Sequence, residues 1–374
     1  MKKVVIEDVE DYNSKKIKDA IKKGVLQNGF SFPANEKVLL KPNIFSQNFP
    51  EQHSITHFTI VEALCNILKE NNCEIFIGES IAFYQKGLTK KAFKTSRIEE
   101  VAIKYDARLV PFEEERLIGI TQDFTILKKL YLPEILFKVD SIINLPKLKT
   151  HSAMRLSGAV KNLYGCIPGG FKQKAHLIAK DDFEFSDILI DLNLLIKPHL
   201  NIIDAIYALD GGPTALGRPK KLGKILISDN PFAVDVVVAR MIGYEPEDIS
   251  TLIRAKERGL VDFDDIEIKG NFLVKRFNSL IKGDFAKEIK PSIFVTKTYV
   301  SPYVDNTVCN KCYKCLEFCT PKAIEKSETS YPVVNYERCV YCYYCFSGCP
   351  KKAIKPESAF LNKFINFVRA VLRI

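Results

Sequence analysis

The 374-residue sequence predicts an α/β region, a mainly parallel sheet with helices on both faces, then a small α+β cysteine-rich module and a C-terminal amphipathic helix. Three observations carry this. Short apolar runs alternate with helix-periodic segments from Val4 to Ile242, the pattern of parallel strands joined by crossover helices. Eight of the eleven cysteines fall between Cys309 and Cys349, in two equal runs. Beyond Pro356 the chain carries one apolar helical stripe. The expected boundaries are 1–300, 301–356 and 357–374.

Val4-Val5-Ile6 reads as the first strand, and Ile17, Ala20, Ile21 and Val25 give the segment after Ser14 its helical period. A second strand, Lys37 to Leu40, runs into Lys41-Pro42-Asn43, where the proline ends the ladder and leaves Lys41 and Asn43 at a strand's C-terminal end. In open α/β sheets ligands bind at that edge. A helix from Thr59 to Glu70, the strand Glu74–Ile77 with its turn Gly78-Glu79-Ser80, and a short strand at Ala107–Val110 follow. Ser141–Leu145 is a buried strand leading into Pro146-Lys147-Leu148-Lys149-Thr150-His151. A helix over Ser186–Leu195, strands at Leu200–Ala205 and Lys224–Ser228, and a helix over Phe232–Ile242 complete the pattern. The Asp210–Pro219 stretch reads as a glycine-rich loop, and Phe263–Tyr299 as edge structure and linker.

Each cysteine run has the form C-x2-C-x2-C-x3-C: Cys309, Cys312, Cys315 and Cys319, then Cys339, Cys342, Cys345 and Cys349. At an offset of thirty the cysteines and the following Lys-Ala-Ile all match. Three thiolates two residues apart can wrap one corner of a cubane while the fourth crosses to the other cluster. This assigns one [4Fe–4S] cluster to Cys309, Cys312, Cys315 and Cys349, and a second to Cys319, Cys339, Cys342 and Cys345. Structural zinc sites present C-x2-C hooks instead of triplets with a crossing cysteine. The stretch resembles bacterial two-cluster ferredoxins. It departs from them in having Pro321 one residue late after Cys319 and Tyr341, Tyr343 and Tyr344 in place of small residues. Cys65 and Cys73 read as small buried hydrophobes.

The formal charge of +10 is dispersed, without a Lys/Arg block, which disfavours nucleic acid and suits acidic partners or anionic substrates. The N-terminal apolar run is too short for a signal peptide, and no stretch reaches the ~18 apolar residues of a membrane span. A cytoplasmic location is expected. In the tail, Phe360, Leu361, Phe364, Ile365, Phe367, Val368, Val371 and Leu372 form the stripe. It reads as a helix docked on its own protein or as a membrane-surface or partner contact.

The candidate pocket centres on His151, with Lys41, Asn43, Lys147, Lys149, Lys161 and Asn162. Cations and glycine-permitted backbone approach at Gly158, Gly165, Gly169 and Gly170 suit a carboxylate or phosphate. The alternative is that the glycines serve tight turns and the lysines a solvated face. Val38–Asn43, Gly78-Glu79-Ser80, Asn144–His151 and Gly158–Gly165 resemble signature stretches of the DUF362 family, uncharacterised prokaryotic proteins that often carry a C-terminal ferredoxin module. A weaker likeness links His151, Ser157-Gly158-Ala159, Lys161 and Pro168-Gly169 to the lactate racemase superfamily. That resemblance implies acid–base work for His151, a cofactor-anchoring role for Lys161 and a metal-binding or catalytic role for His176. No histidine stands at Gly78-Glu79-Ser80, where that family places its second.

Three functions remain open. A ferredoxin-coupled oxidoreductase would take electrons from a redox partner protein and deliver them to an anionic substrate or further cofactor. The second is a non-enzymatic electron carrier or assembly partner. The third is a racemase-like, transferase or hydrolase enzyme with structural or sensory clusters. No G-x-G-x-x-G follows a strand, so no dinucleotide fingerprint is present.

Overall fold

The computed structural model describes residues 1–81, 87–151, 154–169, 171–211, 217–277, 300–319, 322–328, 331–339, 345 and 349–358. The strands and helices run β1 (Lys2–Asp8), α1 (Ser14–Asn28), β2 (Lys37–Pro42), α2 (Phe58–Glu70), β3 (Glu74–Glu79), α3 (Leu88–Thr95), α4 (Ile98–Lys104) and β4 (Arg108–Pro111). Then come β5 (Leu117–Ile120), β6 (Leu130–Pro133), β7 (Ser141–Leu145), β8 (Lys147–His151), β9 (Arg155–Ser157), α5 (Ala159–Asn162), α6 (Phe171–Ile178), α7 (Asp182–Ile196), β10 (Leu200–Asp210), β11 (Arg218–Ser228), α8 (Pro231–Met241), α9 (Ser250–Glu257) and β12 (Ile266–Gly270). The module holds β13 (Val300–Val304), α10 (Lys314–Phe318), β14 (Ile324–Lys326), β15 (Pro332–Val334) and β16 (Ile354–Ser358).

The main sheet has the order β12-β1-β11-β10-β7-β2-β3-β4, and along it only the pairings of β11 are antiparallel. Its strands alternate between two apolar layers, as side chains on a pleated strand must. Leu39, Ile142, Ile203 and Leu226 join the core under α5, α7, α8 and α9. Val38, Leu40, Ile143, Ile202 and Ile225 join the core under α1, α2, α3 and α4. The sheet is therefore mainly parallel and covered on both faces, as the sequence predicts. Local chemistry sets the helix ends. Asn13, Asp181 and Asn230 cap α1, α7 and α8 by accepting backbone N–H groups, and Gly29 ends α1 in the left-handed region at φ 87°.

Pro146 breaks what would otherwise be one strand. β7 pairs with the start of β10, and β8 then runs parallel to β10 further along, with Asp204 opposite Lys147 and Leu209 opposite Lys149. This carries Lys147 and Lys149 past the C-terminal ends of β2 and β3. Two local expectations are revised: α7 starts earlier than Ser186 because Asp181 supplies its cap, and β10 and β11 pair as a long antiparallel couple. The edge structure expected after Phe263 is β12, which runs parallel to β1.

In the module, β13 pairs with β16 and β14 with β15. The strand before the first cysteine run thus pairs with the strand after the second. Val300 is paired opposite Ser358 at the end of that ladder. Of the helix expected over 357–374, residues 357 and 358 end β16, and the rest lies outside the described residues. No helix among the described residues is long and apolar enough to cross a membrane.

Candidate functional site

The two cysteine repeats interlock through equivalent hydrogen bonds. Asp305 N–H donates to Ala353 O and Asn335 N–H to Ala323 O, both at 2.8 Å, so each repeat begins where the other ends. Cys309 N–H donates to Asp305 O and Cys339 N–H to Asn335 O. The fourth cysteine of each run accepts a backbone N–H at sulfur: Ala323 to Cys319 Sγ at 3.2 Å, Ala353 to Cys349 Sγ at 3.3 Å. The crossing brings Cys349 into one cavity with Cys309, Cys312 and Cys315.

That donor set fits an iron–sulfur cubane. The Cys315 thiol is pushed up to about 11, first by burial and then by the charges of Cys349, Cys309 and Cys312, an opposition to its ionisation that a cationic core would compensate. N–H donors aimed at Cys319 and Cys349 would stabilise ligating thiolates. Of the other set, Cys319 and Cys345 pack on the small core of Ile324 and Ile354, Cys339 is buried, and Cys342 lies outside the described residues. Cys65, Cys73 and Cys166 are buried apart from the module, and burial raises the Cys65 and Cys166 thiols to about 12.

At the sheet edge the predicted residues converge into two polar networks. In the first, Lys41 ends β2 fully buried and its ammonium sits 2.7 Å from Glu79 Oε2, at the end of β3. Glu79 also accepts from Ile44 N and Ser80 N. Asn162 Nδ2 donates to Lys41 O and Asn144 Oδ1, while Asn43 Nδ2 donates to Asn162 Oδ1. Lys149 Nζ donates to Asn43 Oδ1 at 2.9 Å and Ser54 O at 3.2 Å. Burial, then the Lys161 charge, lowers Lys149 to about 7, and burial lowers Lys161 to about 8. The alternative reading of the lysines as a solvated face does not hold for Lys149, which is 4% exposed.

The second network was not legible in the sequence. Lys147 Nζ sits 3.0 Å from Asp204 Oδ2 and donates to Tyr12 Oη, which in turn donates to Asp204 Oδ1. His57 stacks on Tyr12 at 3.7 Å, and His53 on Tyr207 at 4.4 Å. Burial, opposed by Asp204, leaves His57 lowered to about 4 and therefore neutral. These partners come from elements far apart in sequence, and no local spacing signals them.

His151 ends β8 half-buried and its Nδ1 accepts from Met154 N, which selects the Nε2–H tautomer of the neutral ring. His176 lies on α6, with its side chain outside the described residues. The same helix supplies Lys172, absent from the sequence reading. It donates to Ser80 O, Ser80 Oγ and Ile81 O, and burial lowers it to about 8.

Two motif glycines serve packing. A Cβ on Gly165 would overlap Glu79 Oε1 and lie 2.7 Å from Lys41 Nζ; one on Gly158 would overlap Asp235, whose carboxylate accepts the Ala159 and Val160 amides that open α5. These close approaches go to protein carboxylates, a different use of the same permissiveness.

Residues 38–240 match the family described as a domain of unknown function, DUF362, and residues 332–355 match the 4Fe-4S binding domain. A thylakoid-associated protein of Synechocystis is 31% identical over 226 residues, covering 60% of this chain and 68% of that one. Among solved structures, the lactate racemase apoprotein from Thermoanaerobacterium thermosaccharolyticum aligns at 12% identity and TM-score 0.39, over 61% of this chain and 54% of its own. A structural-genomics protein from Thermotoga maritima aligns at 14% identity and TM-score 0.39, over 68% and 61%. The chain spans less than two thirds of either solved structure.

Proposed function

Since the chain belongs to the DUF362 family and carries a 4Fe-4S binding domain, we propose that it is a ferredoxin-coupled oxidoreductase with two [4Fe–4S] clusters. Electrons from a redox partner protein would reach an anionic substrate or cofactor held at the C-terminal edge of the sheet. Cys309, Cys312, Cys315 and Cys349 hold the first cluster, and Cys319, Cys339, Cys342 and Cys345 the second. The interlocked repeat is the observation that carries this reading, because it brings the fourth thiol of one run to the other run's site. The domain division follows: an α/β body, the cluster module and the tail, in the cytoplasm.

In the pocket, Lys161 binds the anion and His151, with an exchangeable Nε2 proton, transfers protons; His176 stands on the neighbouring helix as a further catalytic candidate. Lys41, Asn43, Lys147 and Asn162 hold the pocket's shape, since each is already engaged with protein partners. That same mutual satisfaction favours a second reading, an electron carrier whose α/β domain docks a partner. Anaerobic redox titration followed by electron paramagnetic resonance tests the proposal. Reversible one-electron reduction that responds to small anions supports the oxidoreductase; reduction indifferent to every anion supports the carrier. Turnover that survives loss of cluster redox activity contradicts both.

A further inference from the structure

We propose that Lys149 and Lys161 together hold a compact dianion of the phosphate type, with the Ser54 hydroxyl as a third donor. This rests on reading the sheet edge as an anion site, and names the class of anion.

The argument begins with charge. Lys41, Lys147, Lys149 and Lys161 converge on the edge from β2, β8 and α5. Glu79 is committed to Lys41 and two backbone amides, and Asp204 to Lys147, Tyr12 and the His57 amide. Lys149 has an amide oxygen, a backbone carbonyl and the Phe45 ring, 4.2 Å from its ammonium, but no carboxylate contact. Among the described residues no hydrogen bond or ion pair reaches the Lys161 ammonium. Among the described residues neither ammonium is therefore paired with a carboxylate, and buried like charges of this kind require compensation. One dianion supplies that compensation; a monocarboxylate supplies half.

A second observation is independent of charge. Ser54 is 3% exposed and its Oγ has no hydrogen-bond partner among the described residues, although its own carbonyl receives the Lys149 ammonium. A buried hydroxyl left unpaired is costly, and an oxyanion oxygen beside Lys149 would accept from it. Lysines serve phosphate as point charges, without the planar fork that a carboxylate favours in arginine. The charges of Lys161 on α5, Lys147 on the same strand and Lys41 on β2 lower the proton affinity of Lys149, and that of Glu79 on β3 raises it. Three of these four neighbours are cationic, so a bound dianion raises the proton affinity of both lysines.

Isothermal titration of the full chain, anaerobic with its clusters oxidised and at fixed ionic strength, tests this with inorganic phosphate, glycerol phosphate, succinate and acetate. Phosphate or glycerol phosphate should bind more tightly than either carboxylate. Binding of phosphate alone indicates the free ion, and binding of both a phosphoryl group on a larger molecule. Lys161→Met should weaken binding roughly tenfold to a hundredfold, Lys149→Met at least as much, and Lys161→Arg should retain most of it. Should Lys149→Met fail to fold, the half-buried Lys161 pair of variants decides alone. Absence of binding by both phosphates, tighter binding of succinate, or an affinity unchanged in Lys161→Met overturns the inference. Phosphate binding that leaves cluster reduction unaltered leaves it standing and counts against electron delivery to the pocket.

Discussion

The cysteine module and the sheet edge each gather ionisable groups, thiols in one and lysines with carboxylate partners in the other, by different means. In the module, spacing within a run places three thiols, and the pairing of β13 with β16 delivers Cys349 as the fourth. At the sheet edge, Lys41, Lys149 and Lys161 come from β2, β8 and α5, and Glu79 from β3. Burial and then the neighbouring thiols raise the resistance of Cys315 to ionisation, while burial and then the Lys161 charge lower the proton affinity of Lys149. Local spacing writes the first arrangement into the sequence. The second exists only after the chain has folded, so its chemistry resides in tertiary convergence.

The largest expected effect tests the crossing. Cys349→Ser should cut iron from about eight to about four per chain and remove the cluster of Cys309, Cys312 and Cys315. Loss of only the other cluster, followed by spectroscopy of run-specific variants, would reverse the assignment. At the sheet edge, Gly165→Ala forces a methyl onto the Lys41–Glu79 pair and should cost about 1–3 kcal/mol, read as a lower thermal midpoint with cluster content intact. An unchanged midpoint would mean that the pair yields easily.

A smaller effect separates the edge lysines from ordinary ones. Lys149 at about 7 and Lys161 at about 8 lie below the ~10.4 of an unfolded lysine. Between these values the unfolded chain binds protons that the folded one does not, so both lysines make stability rise as pH increases from about 7 towards 10. Lys161→Met should flatten that rise relative to the parent in melts from pH 7 to 9; parallel curves would remove Lys161 from the account. The smallest expected change on the module is that of deleting residues 359–374. β16 ends at Ser358, so cluster content should hold. If the deletion also leaves association and solubility unaltered, the tail has neither of its proposed roles.

Much of the fold was legible because its strands are apolar on both faces and its helices keep their period. The convergence of Lys41 and Asn43 on the sheet's C-terminal edge was legible too, from Pro42 ending its strand. Partners were not legible: nothing in Lys41-Pro42-Asn43 announces Glu79, and nothing near Lys147 announces Asp204 or Tyr12. Gly158 and Gly165 were readable as close approaches, but what approaches them, Asp235 and the Lys41–Glu79 pair, depends on tertiary packing. The solvated-face alternative fails at Lys149, whose burial comes from tertiary contacts with Asn43 and the Ser54 carbonyl.

The most direct measurement is the content of iron, acid-labile sulfide and zinc per chain after anaerobic reconstitution. Two cubanes predict about eight iron and about eight sulfide, with no stoichiometric zinc. About four of each would leave one run without its cluster, and stoichiometric zinc without sulfide would contradict the cluster assignment altogether.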